Sequence, residues 1–184
     1  MNFIIKNKLS ILLIILFVVS LNSCCIMGMR GQRSTKTIYD DFYISEGVMQ
    51  YFVKPITFKS KDYKFTLDFT FRDSITTSYA TCNYSLFSEE PVSTIDSAII
   101  LVDNNQKIII KNNKKLFVSK KKKYQIRYSG GITNNELKIF FKGTSFEVNI
   151  YNNNSKIVLK PSNKTLKSIE LFNKEVVDII ELNQ

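Results

Sequence analysis

The chain has 184 residues, with 26 Lys and Arg against 16 Asp and Glu for a formal net charge of +10, and it contains no histidine. An apolar content of 44%, with 14 Phe and 9 Tyr, is too high for a disordered chain. The missing imidazole removes the Ser-His-Asp and Cys-His nucleophile systems, the common zinc sites and the usual proton shuttle near neutral pH.

At the N-terminus, Lys6 and Lys8 precede an apolar run from Leu9 to Leu21, which ends in Asn22-Ser23-Cys24-Cys25. Export machinery engages such a pattern of positive start, short apolar stretch and small polar residues before a cut. The run of 13 residues falls short of the roughly 20 that span a bilayer. The pattern therefore predicts a cleaved signal over residues 1–23, not a transmembrane anchor. Leu21-Asn22-Ser23-Cys24 resembles the signal of the bacterial lipoprotein class. The resemblance implies that Cys24 becomes the first residue of the mature chain and carries fatty acyl chains such as palmitate. The membrane is then the first partner, since each buried acyl CH₂ contributes about 0.8 kcal/mol and two or more chains hold a protein stably. Cleavage before Cys25 would displace Leu21 from its place, so Cys24 is the expected lipidation site. The location implied is the cell envelope. Acidic residues after the cysteine direct some lipoproteins to the cell surface; Arg30, Arg33 and Lys36 here favour the periplasmic side.

With Cys24 acylated, Cys25 and Cys82 remain to pair. Cys82 lies in a strand-like segment and reads as a small buried hydrophobe, and no disulfide is expected. Loss of the signal removes Lys6 and Lys8, leaving 24 cations against 16 carboxylates, a net +8. Residues 24–39 carry Gly28, Gly31, Gln32, Ser34 and Thr35 without periodicity and read as a flexible tether. Residues 40–184 are long enough for a single domain with a real core.

That domain reads as mainly β. Tyr63, Phe65, Leu67, Phe69 and Phe71 alternate with Lys64, Thr66, Asp68, Thr70 and Arg72, a strict period of two. Less regular runs predict strands at Val48–Val53, Ser78–Phe87, Ile95–Val102, Lys107–Lys111, Tyr124–Ser129, Glu136–Lys142, Phe146–Tyr151 and Lys156–Lys160. Asn104-Asn105, Asn112-Asn113, Gly130-Gly131, Asn134-Asn135 and Asn152-Asn153-Asn154 predict the turns between them, because Asn and Gly tolerate left-handed backbone. Short strands at this spacing indicate an antiparallel sandwich or barrel. After Pro161, Leu166, Ile169, Phe172, Val176 and Ile180 recur every three or four residues, which predicts a C-terminal helix over about 163–182. Lys164 and Lys167 at its start and Asp178 and Glu181 at its end oppose the macrodipole, but burial of the apolar stripe outweighs that small penalty.

No motif assigns a catalytic residue, a metal ligand or a cofactor. Asp40-Asp41 and Glu89-Glu90 are adjacent carboxylates, which point to opposite faces of an extended chain instead of facing each other across a cleft. The distinctive feature is Asn104–Asn135, where Lys107, Lys111, Lys114, Lys115, Lys120, Lys121, Lys122, Lys123 and Arg127 occur with no acidic residue. Such lysines either form solvated strand faces and loop tips or a patch for an anionic lipid, glycan or acidic protein. The candidate patch is Lys114, Lys115, Lys120, Lys121, Lys122, Lys123 and Arg127. Nucleic acid is not an expected partner for an exported chain without exposed aromatics among its cations. The reading as a whole is a membrane-anchored envelope lipoprotein acting as a non-enzymatic binding or structural module. Its alternatives are a carboxylate-dependent enzyme on an envelope polymer and a binder of anionic lipid or glycan.

Overall fold

The computed structural model describes residues 38–45, 47–73, 79–153 and 155–177. The expected signal, Cys24, Cys25 and the expected tether up to residue 37 lie outside them. Everything below concerns the unit that begins at Ile38.

Its strands in chain order are β1 (Tyr39–Ser45), β2 (Val48–Val53), β3 (Ile56–Lys59), β4 (Tyr63–Asp73), β5 (Tyr79–Ser88), β6 (Ser97–Val102), β7 (Gln106–Ile109), β8 (Lys111–Lys120), β9 (Tyr124–Thr133), β10 (Phe146–Asn152) and β11 (Ser155–Pro161). Helix α1 (Asn134–Lys142) follows β9, and α2 (Asn163–Phe172) follows β11 and runs into a π-helical turn at Asn173–Val177. The strands hydrogen-bond in the order β7-β6-β10-β11-β3-β4-β5-β9-β8, with β2 pairing both β1 and β4. Every pairing is antiparallel: β1–β2, β3–β4, β4–β5, β6–β7, β8–β9 and β10–β11 join consecutive strands, whereas β2–β4, β3–β11, β5–β9 and β6–β10 join strands that are not consecutive in the chain. The two ends of this order, β7 and β8, are separated in sequence by Ile110 alone, and the sheet curls into a nearly closed barrel. The architecture is thus the expected antiparallel β domain with a C-terminal helix.

β4 organises the sheet. Phe65, Leu67, Phe69 and Phe71 are buried, while Lys64, Thr66, Asp68, Thr70 and Arg72 face outward. One edge pairs with β5; the other is divided between β3 at Lys64–Leu67 and β2 at Thr70–Asp73. The interruption falls at Lys54-Pro55, where a proline has no N–H to contribute to a ladder. Each buried Phe contributes about 1.5–3 kcal/mol, so the alternation fixes which face turns inward.

Several expectations fail, among them the turn at Asn134-Asn135, which is the start of helix α1. Glu136–Lys142 is the greater part of helix α1, not a strand. Thr133 accepts from the Glu136 N–H at 3.1 Å while the Glu136 carboxylate accepts from the Thr133 N–H at 2.7 Å, a reciprocal capping box. Leu137, Phe140 and Phe141 then fall on one buried side at helical spacing. Gly130-Gly131 is not a turn either: both lie inside β9, opposite Cys82 and Thr81. A Cβ on Gly130 would lie 2.6 Å from the Asn113 side-chain oxygen and from Ile110 Cγ2, so the glycine permits the close approach of β8 to β9. Likewise Asn112-Asn113 sits within β8, where Asn112 adopts φ +54° beside an irregularity in the β8–β9 register.

The C-terminal helix begins at Asn163, capped by Ser162, whose hydroxyl accepts from the Thr165 N–H at 3.2 Å. Ile169, Phe172 and Val177 are buried; the π turn, with its i to i+5 spacing, brings Val177 onto the side of Phe172. The part of the expected helix beyond Val177 lies outside the described residues. Phe172 packs on Phe141 at 4.0 Å between ring centroids and against Tyr39 and Phe71. Phe140 and Phe141 meet Phe69. α1 and the C-terminal end of α2 therefore seat at the Phe69–Phe71 end of β4, while the first turn of α2 reaches β3, where the Thr165 hydroxyl donates to the Thr57 carbonyl at 2.9 Å.

Candidate functional site

The Tyr63 end of the sheet carries a groove of about 720 Å³ lined by Lys59, Ser60, Lys61, Asp62, Tyr63, Lys64, Phe87, Ser119, Lys121, Lys122, Lys123 and Gln125. Its construction follows from strand register. Lys59 is opposite Lys64, Lys64 opposite Phe87, Phe87 opposite Gln125 and Gln125 opposite Ser119. These five residues form one rung across β3, β4, β5, β9 and β8 on the outward face. With strands about 4.8 Å apart, the rung is roughly 19 Å long. Two hairpin turns rise at its ends. Residues 60–63 join β3 to β4, with the Ser60 N–H donating to the Tyr63 carbonyl at 2.9 Å, and Lys121–Lys123 join β8 to β9, with the Lys121 N–H donating to the Lys123 carbonyl at 3.3 Å.

Six ammonium groups line the groove against the single carboxylate of Asp62. Lys123 also reaches Glu89 at 2.6 Å, an exposed pair of the kind that water and salt weaken. The Lys64 ammonium lies 5.2 Å from the centre of the Phe87 ring, within cation–π range. The floor thus offers an apolar ring and the polar Gln125 and Ser119 between two cationic walls. Such a surface can hold a group that carries several negative charges and some apolar or sugar-ring area.

The expected patch is only partly brought together. Lys121, Lys122 and Lys123 enter the groove, and Lys120 lies over the Tyr124 ring at 4.7 Å beside it. Lys114 and Lys115 lie farther along β8, where the Lys115 ammonium donates to the Ser93 carbonyl at 3.3 Å. Arg127 points elsewhere: its guanidinium is held by Asp68 at 2.9 Å and by the Ser85 hydroxyl at 3.1 Å, in a network that includes Asn83 on Asp68 and Gln125 on Ser85. The sequence reading missed Lys59, Lys61 and Lys64. Their short basic run was visible, but its position beside Lys121–Lys123 depends on two successive long-range pairings, Lys64 with Phe87 and Phe87 with Gln125.

The carboxylates are dispersed. Asp40 lies 3.6 Å from Lys54 on β1, and Glu89 and Glu90 occupy the segment between β5 and β6. Cys82 is a free, fully buried thiol in β5; burial, and secondarily the charge of Asp68, holds its pKa well above the ordinary value. Among the described residues no three His, Cys, Asp or Glu side chains form a metal-binding group, and no helix is long and apolar enough to cross a membrane. Comparison with protein-family models, with curated proteins and with solved structures finds no match. The class the structure defines is therefore one of architecture, an antiparallel barrel-like domain with a cationic groove at one end.

Proposed function

We propose that this protein is a non-enzymatic binding module of a bacterial envelope, tethered to its membrane through acylated Cys24, and that the groove holds phosphate- or carboxylate-bearing groups of an envelope lipid or glycan. The observation supporting this reading is the convergence of two lysine-bearing turns at the ends of one five-strand rung. Asp62 stands alone as a carboxylate in the lining, so the groove offers charge recognition and not the two facing carboxylates that glycosidase chemistry requires. Near an anionic membrane each Lys contributes about 1 kcal/mol, decaying over a Debye length of roughly 8 Å.

The test uses a chain begun at Ile26, which lacks the signal and both N-terminal cysteines, and its Lys61→Glu, Lys64→Glu, Lys122→Glu variant. Binding to phosphatidylglycerol vesicles, phosphatidylcholine vesicles and a soluble acidic polysaccharide is measured against salt. The expected loss on triple reversal is on the order of a hundredfold for the anionic ligands, with no change for the neutral vesicle. Equal binding by both chains defeats the proposal. For the anchor, metabolic labelling with a fatty acid is expected in the native chain and absent from Cys24→Ala; labelling that survives the substitution removes Cys24 as the acylated residue.

A further inference from the structure

β8 stands at one end of the sheet order and pairs with β9 alone; among the described residues no strand pairs with its other edge. A 10-residue strand at an edge presents a row of backbone N–H and C=O groups that another extended segment can use. Lysines blunt its ends and two register irregularities interrupt it, but its middle is apolar. Leu116, Phe117 and Val118 are 47%, 43% and 52% exposed, a run of three apolar residues at the surface. Strand alternation separates the faces of the last two: Val118 is opposite Ile126 and Phe117 opposite Arg127. An added strand would therefore find apolar contacts on either side of the sheet.

Charge selects the occupant. β8 itself carries Lys111, Lys114, Lys115 and Lys120, continues into Lys121–Lys123, and has no carboxylate within or beside it from Asn104 to Asn135. Pairing with β8 of a second copy would set one lysine row against another. Residues 24–37 also carry only cations, Arg30, Arg33 and Lys36. A strand that alternates apolar residues with Asp or Glu meets both demands: its apolar side chains lie over Leu116, Phe117 and Val118, and its carboxylates reach the lysines at either end. We infer that the outer edge of β8 is a docking strand for an extended acidic segment of a partner protein, which joins the sheet by β-augmentation. This surface adjoins the groove at Ser119 and Lys121–Lys123, but the backbone ladder along β8 does not depend on the function proposed for the groove.

The experiment uses the full chain in detergent and a probe peptide of alternating Val and Glu as long as β8. Anisotropy of the labelled peptide reports affinity, and amide hydrogen exchange reports where it sits. The expected results are binding, with new protection along β8. A version of the peptide N-methylated at alternate residues has the same charge but cannot complete the ladder, and it is expected to bind about tenfold or more weakly. Lys114→Glu with Lys120→Glu is expected to weaken binding similarly, while Lys164→Glu with Lys167→Glu, exposed on α2 away from both surfaces, leaves it unchanged. Equal affinity for both peptides overturns the inference, since charge alone then accounts for binding. It is also overturned if β8 is protected without peptide, either at every protein concentration, through another segment of the same chain, or increasingly with concentration, through a second copy.

Discussion

Tyr84 and Tyr128 make opposite predictions for the same chemical change. They are partners across the β5–β9 pairing, and their rings stack with centroids 5.5 Å apart and planes within 6°. Tyr84 is fully buried and its hydroxyl has no hydrogen-bond partner among the described residues, whereas the Tyr128 hydroxyl accepts from the buried Ile95 N–H at 3.1 Å. Burial, with smaller contributions from Cys82 and Tyr128, pushes the Tyr84 phenol far above its ordinary pKa. The group therefore stays neutral, but neutrality does not satisfy it. Tyr84→Phe removes a hydroxyl whose unpaired burial costs about 1–3 kcal/mol, and it keeps the ring on Tyr128 and on Phe65, whose centroid is 5.5 Å away. Some packing around the lost oxygen is forfeited, leaving an expected gain of about 1 kcal/mol. Tyr128→Phe orphans the Ile95 N–H instead and costs about 1–3 kcal/mol. The two variants should therefore differ by roughly 2–4 kcal/mol. Urea unfolding followed by far-ultraviolet circular dichroism reads this as midpoints displaced in opposite directions at constant m. If Tyr84→Phe lowers the midpoint as Tyr128→Phe does, the assignment of an unpaired hydroxyl is wrong.

Gly130→Ala should destabilise the fold by about 1–3 kcal/mol, because its Cβ would also lie 2.8 Å from the Lys111 carbonyl, which is backbone. Gly131→Ala, whose nearest contact would be the Ala80 carbonyl at 3.8 Å, is the control expected to stay close to wild type in the same urea titration. Thr133→Ala removes the α1 cap and should lower stability by about 1 kcal/mol; an unchanged midpoint would show that the helix does not depend on its box. Asp103, at φ +50°, accepts from the Thr144 and Ser145 N–H groups at 3.0 and 2.8 Å. Desolvation, the largest single cause, acts to raise its pKa, but the hydrogen bonds from Ser145 and Thr144 together hold it below the ordinary carboxylate value. The folded pKa being the lower one, this stabilisation is complete above about pH 4. It is lost as pH falls through the folded value. Asp103→Asn keeps a residue suited to left-handed backbone but does not titrate, so its stability profile should lack that acid-side loss. Equal profiles would refute the assignment.

What could be read in the sequence was what is decided locally. β4 announces itself because four large buried side chains alternate with polar ones within a single strand, and α2 because its stripe persists over several turns. α1 is shorter, and Glu136–Lys142 taken alone fits either period; the deciding signal was Thr133-x-x-Glu136, whose first residue belongs to the preceding strand. β8 was hidden for a different reason. Strand prediction rests on one face being buried, and β8 buries neither, so its lysines erase the alternation. The groove was illegible because neither of its walls is a motif. Lys59, Lys61 and Lys64 become neighbours of Lys121–Lys123 only once five strands are in register, and that register is set by the buried residues on the opposite face.

The placement of those lysines bears on whether they are more than a soluble surface. A surface selected for solubility alone gains from interspersed signs, and opposite charges directly across a strand pair stabilise it while like charges destabilise it. The β3–β4 hairpin instead sets Lys59 directly opposite Lys64 and adds Lys61 in the turn. Two ammonium groups held about 5 Å apart would repel by roughly 0.8 kcal/mol even in water, and the Lys64 ammonium lies over the Phe87 ring. Elsewhere the fold does relieve its cations. Arg127 is paired with Asp68, Lys174 with Glu170 and Lys54 with Asp40. The groove lining holds one carboxylate for six ammonium groups, and Glu89, outside the lining, reaches Lys123. An anion of higher charge relieves that repulsion at several lysines at once, so its binding strengthens with each cation the rung brings in, and the arrangement that costs stability in the free protein is the one that favours the complex.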